Sequence, residues 1–374
     1  MGGFELIGRE EKEALAEVID RGAVLLRYGF PEKRKNVFKV ADFEKQFSRY
    51  MGTKYALAVS SGSAAVRVAL AALGIGPGDE VITQAFTFVA TIEAIIESGA
   101  TPVIAEVDKS LNLDPEDFYA KITDRTKAVI PVHMLGVPAR MDEIMHIART
   151  HTMPVIEDSC QACGSSYRSK KTGTIGTIGC YSFDYVKTIT TGEGGMIVTD
   201  DDSLHLKASW YHDHGHEHRG DVPRGEDSRT VPGFNYRMNE LQAAIGIVQL
   251  GRLDYVLSQQ RKNKGQIKNA LKNIEFRDLP DEEGDGGDTL IFFPEDVRQL
   301  EKKLSDNGIG TKILPSALDW HYAGRWEHMK NILKPEGAAW GKTKEILDKA
   351  IAIPISVNMS QQEVQKIIDT INSP

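Results

Sequence analysis

Val155-Ile-Glu-Asp158-Ser and, further on, Cys180-Tyr-Ser-Phe-Asp-Tyr-Val-Lys187-Thr-Ile-Thr-Thr-Gly-Glu-Gly-Gly195 decide how this chain is read. The first is an apolar run that ends in two carboxylates. The second is an apolar run that breaks into a glycine-rich loop carrying a lysine. An ordinary lysine amine, with a pKa near ~10.4, is a poor nucleophile at neutral pH, but desolvation or a cationic neighbour lowers that value enough for Schiff-base formation. A carboxylate at a neighbouring strand end can pair with a pyridinium nitrogen. Asp158 and Lys187 are therefore the two residues that a pyridoxal-phosphate enzyme needs.

Working outward, short apolar runs alternate with helical stretches from about residue 55 to about residue 200. The runs at 55–60, 80–83, 101–106, 128–132, 154–158, 179–183 and 195–199 read as strands, and 63–73, 87–98 and 141–150 as helices between them. Such alternation means βαβ units and a mostly parallel sheet covered on both faces, with ligands gathered at the carboxyl ends of the strands. Beyond residue 200 the composition shifts. A His- and Gly-rich stretch runs to Gly233, one long helix is expected from Met238 to about Leu271, and the acidic run Asp281–Asp288 reads as solvated surface. The last segment alternates short strands with amphipathic helices. We therefore expect an α/β protein with a large domain over residues 1–250, including an N-terminal arm, and a smaller C-terminal α/β domain over 251–374.

With a net charge of −8, 26% charged and 41% hydrophobic residues, the chain has no nucleic-acid footprint. No run approaches a membrane span and the first thirty residues lack a signal-peptide core, so a cytoplasmic protein is expected. Three cysteines exclude a disulfide framework. Cys160 and Cys163 form a CxxC, but zinc wants two further ligands, and they read as small residues packed behind a strand end.

Ser60-Ser-Gly62-Ser63 leads from a strand into a helix, where free backbone N–H groups and the helix dipole favour an anion. Phe86 and Phe88 follow another strand end, where a ring can stack on a flat heterocycle. His133 ends a third strand. In His212-Asp-His214-Gly-His216-Glu-His218 the alternation allows a metal site, a substrate contact or a solvated loop; substrate contact by His214 and His216 is expected, and no metal.

The motifs SSGSAA at 60–65, TFVAT at 87–91, PVHMLG at 131–136, EDSCQACG at 157–164, YSFDYVKTITTGEGG at 181–195 and PGFNYRMNELQAAIGIVQL at 232–250 together resemble the DegT/StrS family of sugar aminotransferases. The resemblance covers nearly the whole chain. It implies fold type I of the pyridoxal-phosphate-dependent transferases, with a mostly parallel seven-stranded sheet, and a homodimer with active sites at the subunit interface. By motif position Lys187 resembles the cofactor-bearing lysine and Asp158 the pyridinium partner. Gln161 matches the residue near the cofactor's 3-oxygen, Phe88 the stacking ring, Gly62, Ser63 and Ser182 the phosphate binders, and Asn235 the asparagine that reaches the phosphate from the other subunit. Some relatives carry histidine in place of the lysine and act as dehydratases, and others are described as regulators; the lysine here favours transamination.

The expected reaction is transfer of an amino group from L-glutamate to a keto-sugar in surface-polysaccharide synthesis. The loop from His212 to His218 with Trp320-His321-Tyr322 is similar to the subgroup that aminates C8 of an eight-carbon 3-deoxy-octulosonate for lipopolysaccharide. On that likeness His133, His214, His216, Arg237, His321 and Tyr322 are expected to contact the sugar, with Arg219 and Arg224 as further cations. A nucleotide-linked keto-hexose is the alternative substrate.

Overall fold

The computed structural model describes residues 2–219, 222, 226–333 and 340–373. Seven strands build the main sheet: β1 (Tyr55–Val59), β2 (Glu80–Gln84), β3 (Thr101–Ala105), β4 (Thr126–Ile130), β5 (Ile156–Asp158), β6 (Ile178–Ser182) and β7 (Gly195–Thr199). They pair as β3-β2-β4 and β1-β7-β6-β5, and parallel bridges from Val129 to Val155 and from Val132 to Asp158 join the two halves. Among these strands β7 alone runs against its neighbours. The expected fold, a mostly parallel α/β sheet, is the one observed.

Side-chain alternation explains why this sheet is covered twice. On β1, Leu57 and Val59 join Ile197 of β7 under the helices Gly62–Ala72 and Asp202–Tyr211, while Ala56 and Ala58 join Met196 and Val198 under Lys39–Met51 and Glu240–Gly251. Two of the differences from the expected boundaries have a visible physical cause. β4 stops at Ile130 because Pro131 has no N–H for the ladder, and its carbonyl accepts from Asp158 N–H at 3.0 Å instead. The single long helix is two, Glu240–Gly251 and Leu253–Ala270. Gly251 weakens the helix at the break, and the Arg252 guanidinium is drawn aside to Leu6 O at 2.6 Å and to Glu11 at 2.7 Å.

A second, antiparallel sheet orders β8 (Glu275–Phe276), β9 (Thr289–Phe293) and β10 (Ile351–Pro354). One face packs Leu290, Phe292 and Ile353 against the helices Leu253–Ala270, Val297–Asp306 and Gln361–Asn372. From the other, Ile291 and Ala352 share a core with Phe86, Val132 and Leu135 of the main sheet's loops. This shared core sets the C-terminal segment against the strand ends. The acidic run is not wholly solvated: Glu282 and Glu283 are exposed, but Gly284–Gly287 are buried, with Ser166 N–H donating to Gly284 O and Gly286 N–H to Gly136 O, both at 2.9 Å. Asp285 pairs with Lys264 and Asp288 with Lys312.

At the N-terminus, residues 2–11 form a strap. Gly3 N–H donates to Lys187 O at 3.1 Å, Phe4 stacks on Tyr185 with centroids 4.7 Å apart, and the Glu5 carboxylate accepts from Ser356 Oγ and from Asn358 N–H.

The helix Glu240–Gly251 crosses Lys39–Met51 at Gly246, where an added Cβ would lie 2.6 Å from the Phe43 ring. Helix propensity favours alanine there by roughly 1 kcal/mol, but overpacking a buried ring costs about 1–3 kcal/mol. Gly246→Ala should therefore lower the denaturation midpoint. A midpoint that is unchanged or raised would show that the interface yields to the methyl group.

Candidate active site

A cavity of about 450 Å³ lies at the carboxyl ends of β1, β2, β5 and β6, where an open α/β sheet binds its ligands. Its floor is Asp158, the last residue of β5, only 4% exposed. One carboxylate oxygen accepts from the Thr91 hydroxyl at 2.8 Å and the other from Cys160 N–H at 3.1 Å. Two donors hold the side chain without exhausting its lone pairs, so it can still accept a hydrogen bond from a ring N–H. Glu157, one residue earlier, points to the opposite face. Its carboxylate accepts from the N–H groups of Gly173, Ile175 and Gly176 and from His133 Nε2 at 3.0 Å.

Lys187 lines the same cavity. Its backbone is fixed at both groups, the N–H donating to Asp184 O at 3.1 Å and the carbonyl accepting from Gly3. Its amine has no hydrogen-bond or ion-pair partner among the described residues. Ser61 caps the helix Gly62–Ala72 by accepting from Ala64 N–H at 3.1 Å, which leaves the first-turn N–H groups of Gly62 and Ser63 for a ligand. Gly62 has to be glycine: a Cβ would lie 2.7 Å from Ser182 Cβ and 3.0 Å from Cys160 Sγ. This contact brings the Ser182 hydroxyl beside the helix end.

These groups fit a phosphorylated pyridine aldehyde. The helix end and Ser182 suit the phosphate, Asp158 suits a protonated ring nitrogen, and the unpaired amine of Lys187 suits the aldehyde carbon. Phe88, on the cavity wall and 40% exposed, offers a ring face. Gln161 also lines it; its carbonyl accepts from Leu135 N–H at 3.1 Å, so the amide NH₂ is the group left to offer.

The expected sugar contacts divide sharply. His321 lines the cavity with its ring centroid 5.5 Å from that of Phe88, and Nδ1 lies 2.9 Å from Ala317 O, which leaves Nε2 as an acceptor. Burial, helped by the charges of Lys187 and Lys312, holds its pKa below the usual histidine value, so His321 is neutral rather than the cation anticipated. His133, wholly buried, accepts from Ala139 N–H at Nδ1 and gives its Nε2 proton to Glu157; it steadies the strand end and does not line the cavity. Tyr322 is buried with its hydroxyl donating to Trp340 O at 3.2 Å. Arg237 pairs with the buried Asp213 and His216 with Asp227 at 3.0 Å. His214 and Asn235 are exposed outside the lining, as is Arg219, and Arg224 lies outside the described residues.

The four alternating histidines do not form a metal site: His212 is buried with Nδ1 2.5 Å from Ser209 O, His218 stacks on Tyr28 at 4.1 Å with the His216 ring 6.0 Å away, His214 is exposed, and no group of three His, Cys, Asp or Glu among the described residues has metal-holding geometry. All three cysteines are free, and burial pushes the Cys163 thiol up to about 12, which makes it inert. Sequence reading missed Asp288, Lys312 and Thr91 on the cavity wall. Thr91 stood in a motif already noted, Asp288 closed the acidic run read as solvated surface, and Lys312 gave no local signal.

The sequence profile of the DegT/DnrJ/EryC1/StrS aminotransferase family matches residues 9–372. The chain is 42% identical to GDP-perosamine synthase of Caulobacter vibrioides over 236 residues, 63% of this chain and 62% of that protein, so this match spans less than two thirds of the relative's length. It is 33% identical to the spore coat polysaccharide biosynthesis protein SpsC of Bacillus subtilis, over 98% of this chain and 94% of that one. Among solved structures, GDP-4-keto-6-deoxy-D-mannose-3-dehydratase of E. coli with bound hydrated PLP superposes with a TM-score of 0.83 at 25% identity, covering 98% of this chain and 97% of that one.

His212 supplies a pH test. Burial first, then the charge of Arg27, lowers its pKa from 6.5 to about 3, so the folded protein keeps it neutral while the unfolded chain takes up a proton. Its contribution is complete above the unfolded value and is lost as pH falls from 6.5 towards 3. The slope is about 1.4 kcal/mol per pH unit. His212→Asn should flatten the stability-versus-pH curve by about that amount between about pH 6 and about pH 4. An unchanged slope would assign the acid sensitivity to other groups.

Proposed function

The chain belongs to the DegT/DnrJ/EryC1/StrS aminotransferase family, whose cofactor is pyridoxal 5′-phosphate, and from that premise we propose that it transfers an amino group from L-glutamate to a nucleotide-linked keto-hexose. The observation that carries the reading is the unpaired amine of Lys187 in one cavity with the buried carboxylate of Asp158. The cofactor, when bound, supplies an electron sink that acidifies the donor's α-C–H bond.

The residues divide the remaining work. Lys187 Nζ would hold the cofactor's aldehyde and, when free, would take up and return the donor's α-proton as general base and acid. Asp158, whose direction Thr91 fixes, would keep a proton on the ring nitrogen through charge and hydrogen bond. Gly62, Ser63 and Ser182 would hold the phosphate. Phe88, on the cavity wall, would offer its ring face and exclude water. Asn235 and His214, exposed outside this cavity, suit contact with the other active site of a homodimer. That arrangement is part of the proposal.

The likeness to GDP-perosamine synthase favours a nucleotide-linked sugar. An octulosonate remains the second reading, on the loop similarity, but two of the groups expected to receive its carboxylate are already engaged, Arg237 by Asp213 and His216 by Asp227. Incubation with glutamate and a panel of keto-sugars separates them by the 2-oxoglutarate released. A GDP-linked 4-keto-6-deoxyhexose should be aminated with the higher kcat/KM. Preference for the octulosonate would reverse the substrate assignment, and sugar turnover without glutamate consumption would point to dehydration.

Two variants test the chemistry itself. Lys187→Ala should lose several orders of magnitude in turnover together with the lysine-bound yellow chromophore. Asp158→Asn keeps the shape but removes the charge, so turnover should fall by at least about a hundredfold while the thermal midpoint moves little. Native kinetics in either variant would remove that residue from the mechanism.

A further inference from the structure

A second lysine lies in the cavity, and the chemistry above leaves it unused. Lys312 follows the helix Val297–Asp306 and is pinned by its backbone, whose N–H donates to Ala352 O at 2.8 Å. Its side chain is 20% exposed and its ammonium pairs with Asp288, itself 13% exposed; both line the cavity with Lys187. Burial works against ionisation of Asp288, but Lys312 outweighs it, helped by Lys264, and holds the carboxyl at about 2. Asp288 is thus ionised throughout the working range.

Charge in the lining makes Lys312 informative. Asp158, Asp184, Glu193 and Asp288 face two lysines, and the chain as a whole carries −8. A dicarboxylic amino acid entering this space meets net repulsion unless a cation receives it. Lys187 is committed to the cofactor's aldehyde. His321 is neutral, and its pKa is depressed by both lysines, so it stands within electrostatic reach of each. Lys312 has three N–H donors, and Asp288 is the one ion-pair partner found for it among the described residues. A charged donor with free N–H groups, held in place by a half-buried carboxylate, is how a carboxylate is recognised.

We propose that Lys312, held by Asp288, receives a carboxylate of the dicarboxylic amino donor and so selects glutamate over neutral amino acids. The assignment rests on the aminotransferase reading with glutamate as donor. Asp288 acts as a positioning residue: its carboxylate holds the ammonium at the cavity wall. His321 Nε2, an acceptor in the same lining, can take a hydrogen bond from the incoming ammonium or from a sugar hydroxyl.

The test uses glutarate, a dicarboxylate without an amine, titrated calorimetrically into the cofactor-loaded enzyme, so that binding is read without turnover. Lys312→Gln alone leaves the half-buried Asp288 unpaired and can unfold the site, so the decisive variant is Lys312→Gln with Asp288→Asn, which removes both charges together. The double variant should keep the bound cofactor's spectrum but bind glutarate about tenfold to a hundredfold more weakly, while Lys312→Arg stays within a few-fold of native. Native-like glutarate affinity in the double variant overturns the assignment, as does failure of the native enzyme to bind glutarate at all. Failure of the aminotransferase reading has a different signature: glutamate and every other amino acid would leave the native enzyme's lysine-bound absorbance unchanged.

Discussion

Two adjacent carboxylates buried at the end of one strand set the terms for the rest of this molecule. Taking a carboxylate out of water costs several kcal/mol unless hydrogen bonds or charges replace the lost hydration. Because successive side chains on β5 point to opposite faces, Glu157 and Asp158 solve the problem separately. Glu157 is saturated by three backbone N–H groups of the segment 173–176 and by His133. That saturation welds the segment to the sheet and fixes the strand end from behind. Asp158 is held by two donors and keeps capacity for a third partner on the cavity side. The structural carboxylate is complete, and the functional one is left unfinished.

From that strand end the site assembles by addition of loops, each making a different demand on the backbone. The turn after β1 presents N–H groups because Ser61 caps the helix, and it can approach Ser182 because Gly62 has no side chain. The loop after β2 supplies Thr91 and Phe88, one polar and one apolar, from a single short helix start. The C-terminal segment closes the cavity through an apolar core that Ile291 and Ala352 share with Phe86 and Val132. Polar chemistry therefore comes from the main sheet, and the wall facing it is positioned by hydrophobic packing.

What the sequence disclosed follows the range of the contacts involved. The sheet, the helix from Ser61, and the pairing of Lys187 with Asp158 were legible because strand periodicity and turn chemistry act over a few residues. Phe88 was reachable as an aromatic after a strand end, Gln161 and Ser182 only through the family resemblance, and all three line the cavity. Lys312 and Asp288 were not, since an ion pair between a strand-edge loop and a segment beyond the next helix leaves no pattern. The same limit misled the reading of His133, Arg237 and Tyr322: each looks like a site residue in isolation, and each is engaged by a partner distant in sequence, Glu157, Asp213 or Trp340. The break at Arg252 has a similar origin, because its guanidinium answers to Glu11 at the other end of the chain. Buried Gly284–Gly287 escaped notice because composition reports polarity, not what a glycine-rich backbone packs against.

The strap at residues 2–11 has a consequence for the order of folding. Gly3 holds the carbonyl of Lys187, and Glu5 is in turn held by Ser356, 351 positions away, and by Asn358. Contacts of such sequence separation close late, after the local strand and helix units have formed. The main sheet can be in place while the lysine loop still lacks its clamp and the cavity its far wall. A folding intermediate of that kind carries a formed sheet with an open, unclamped site.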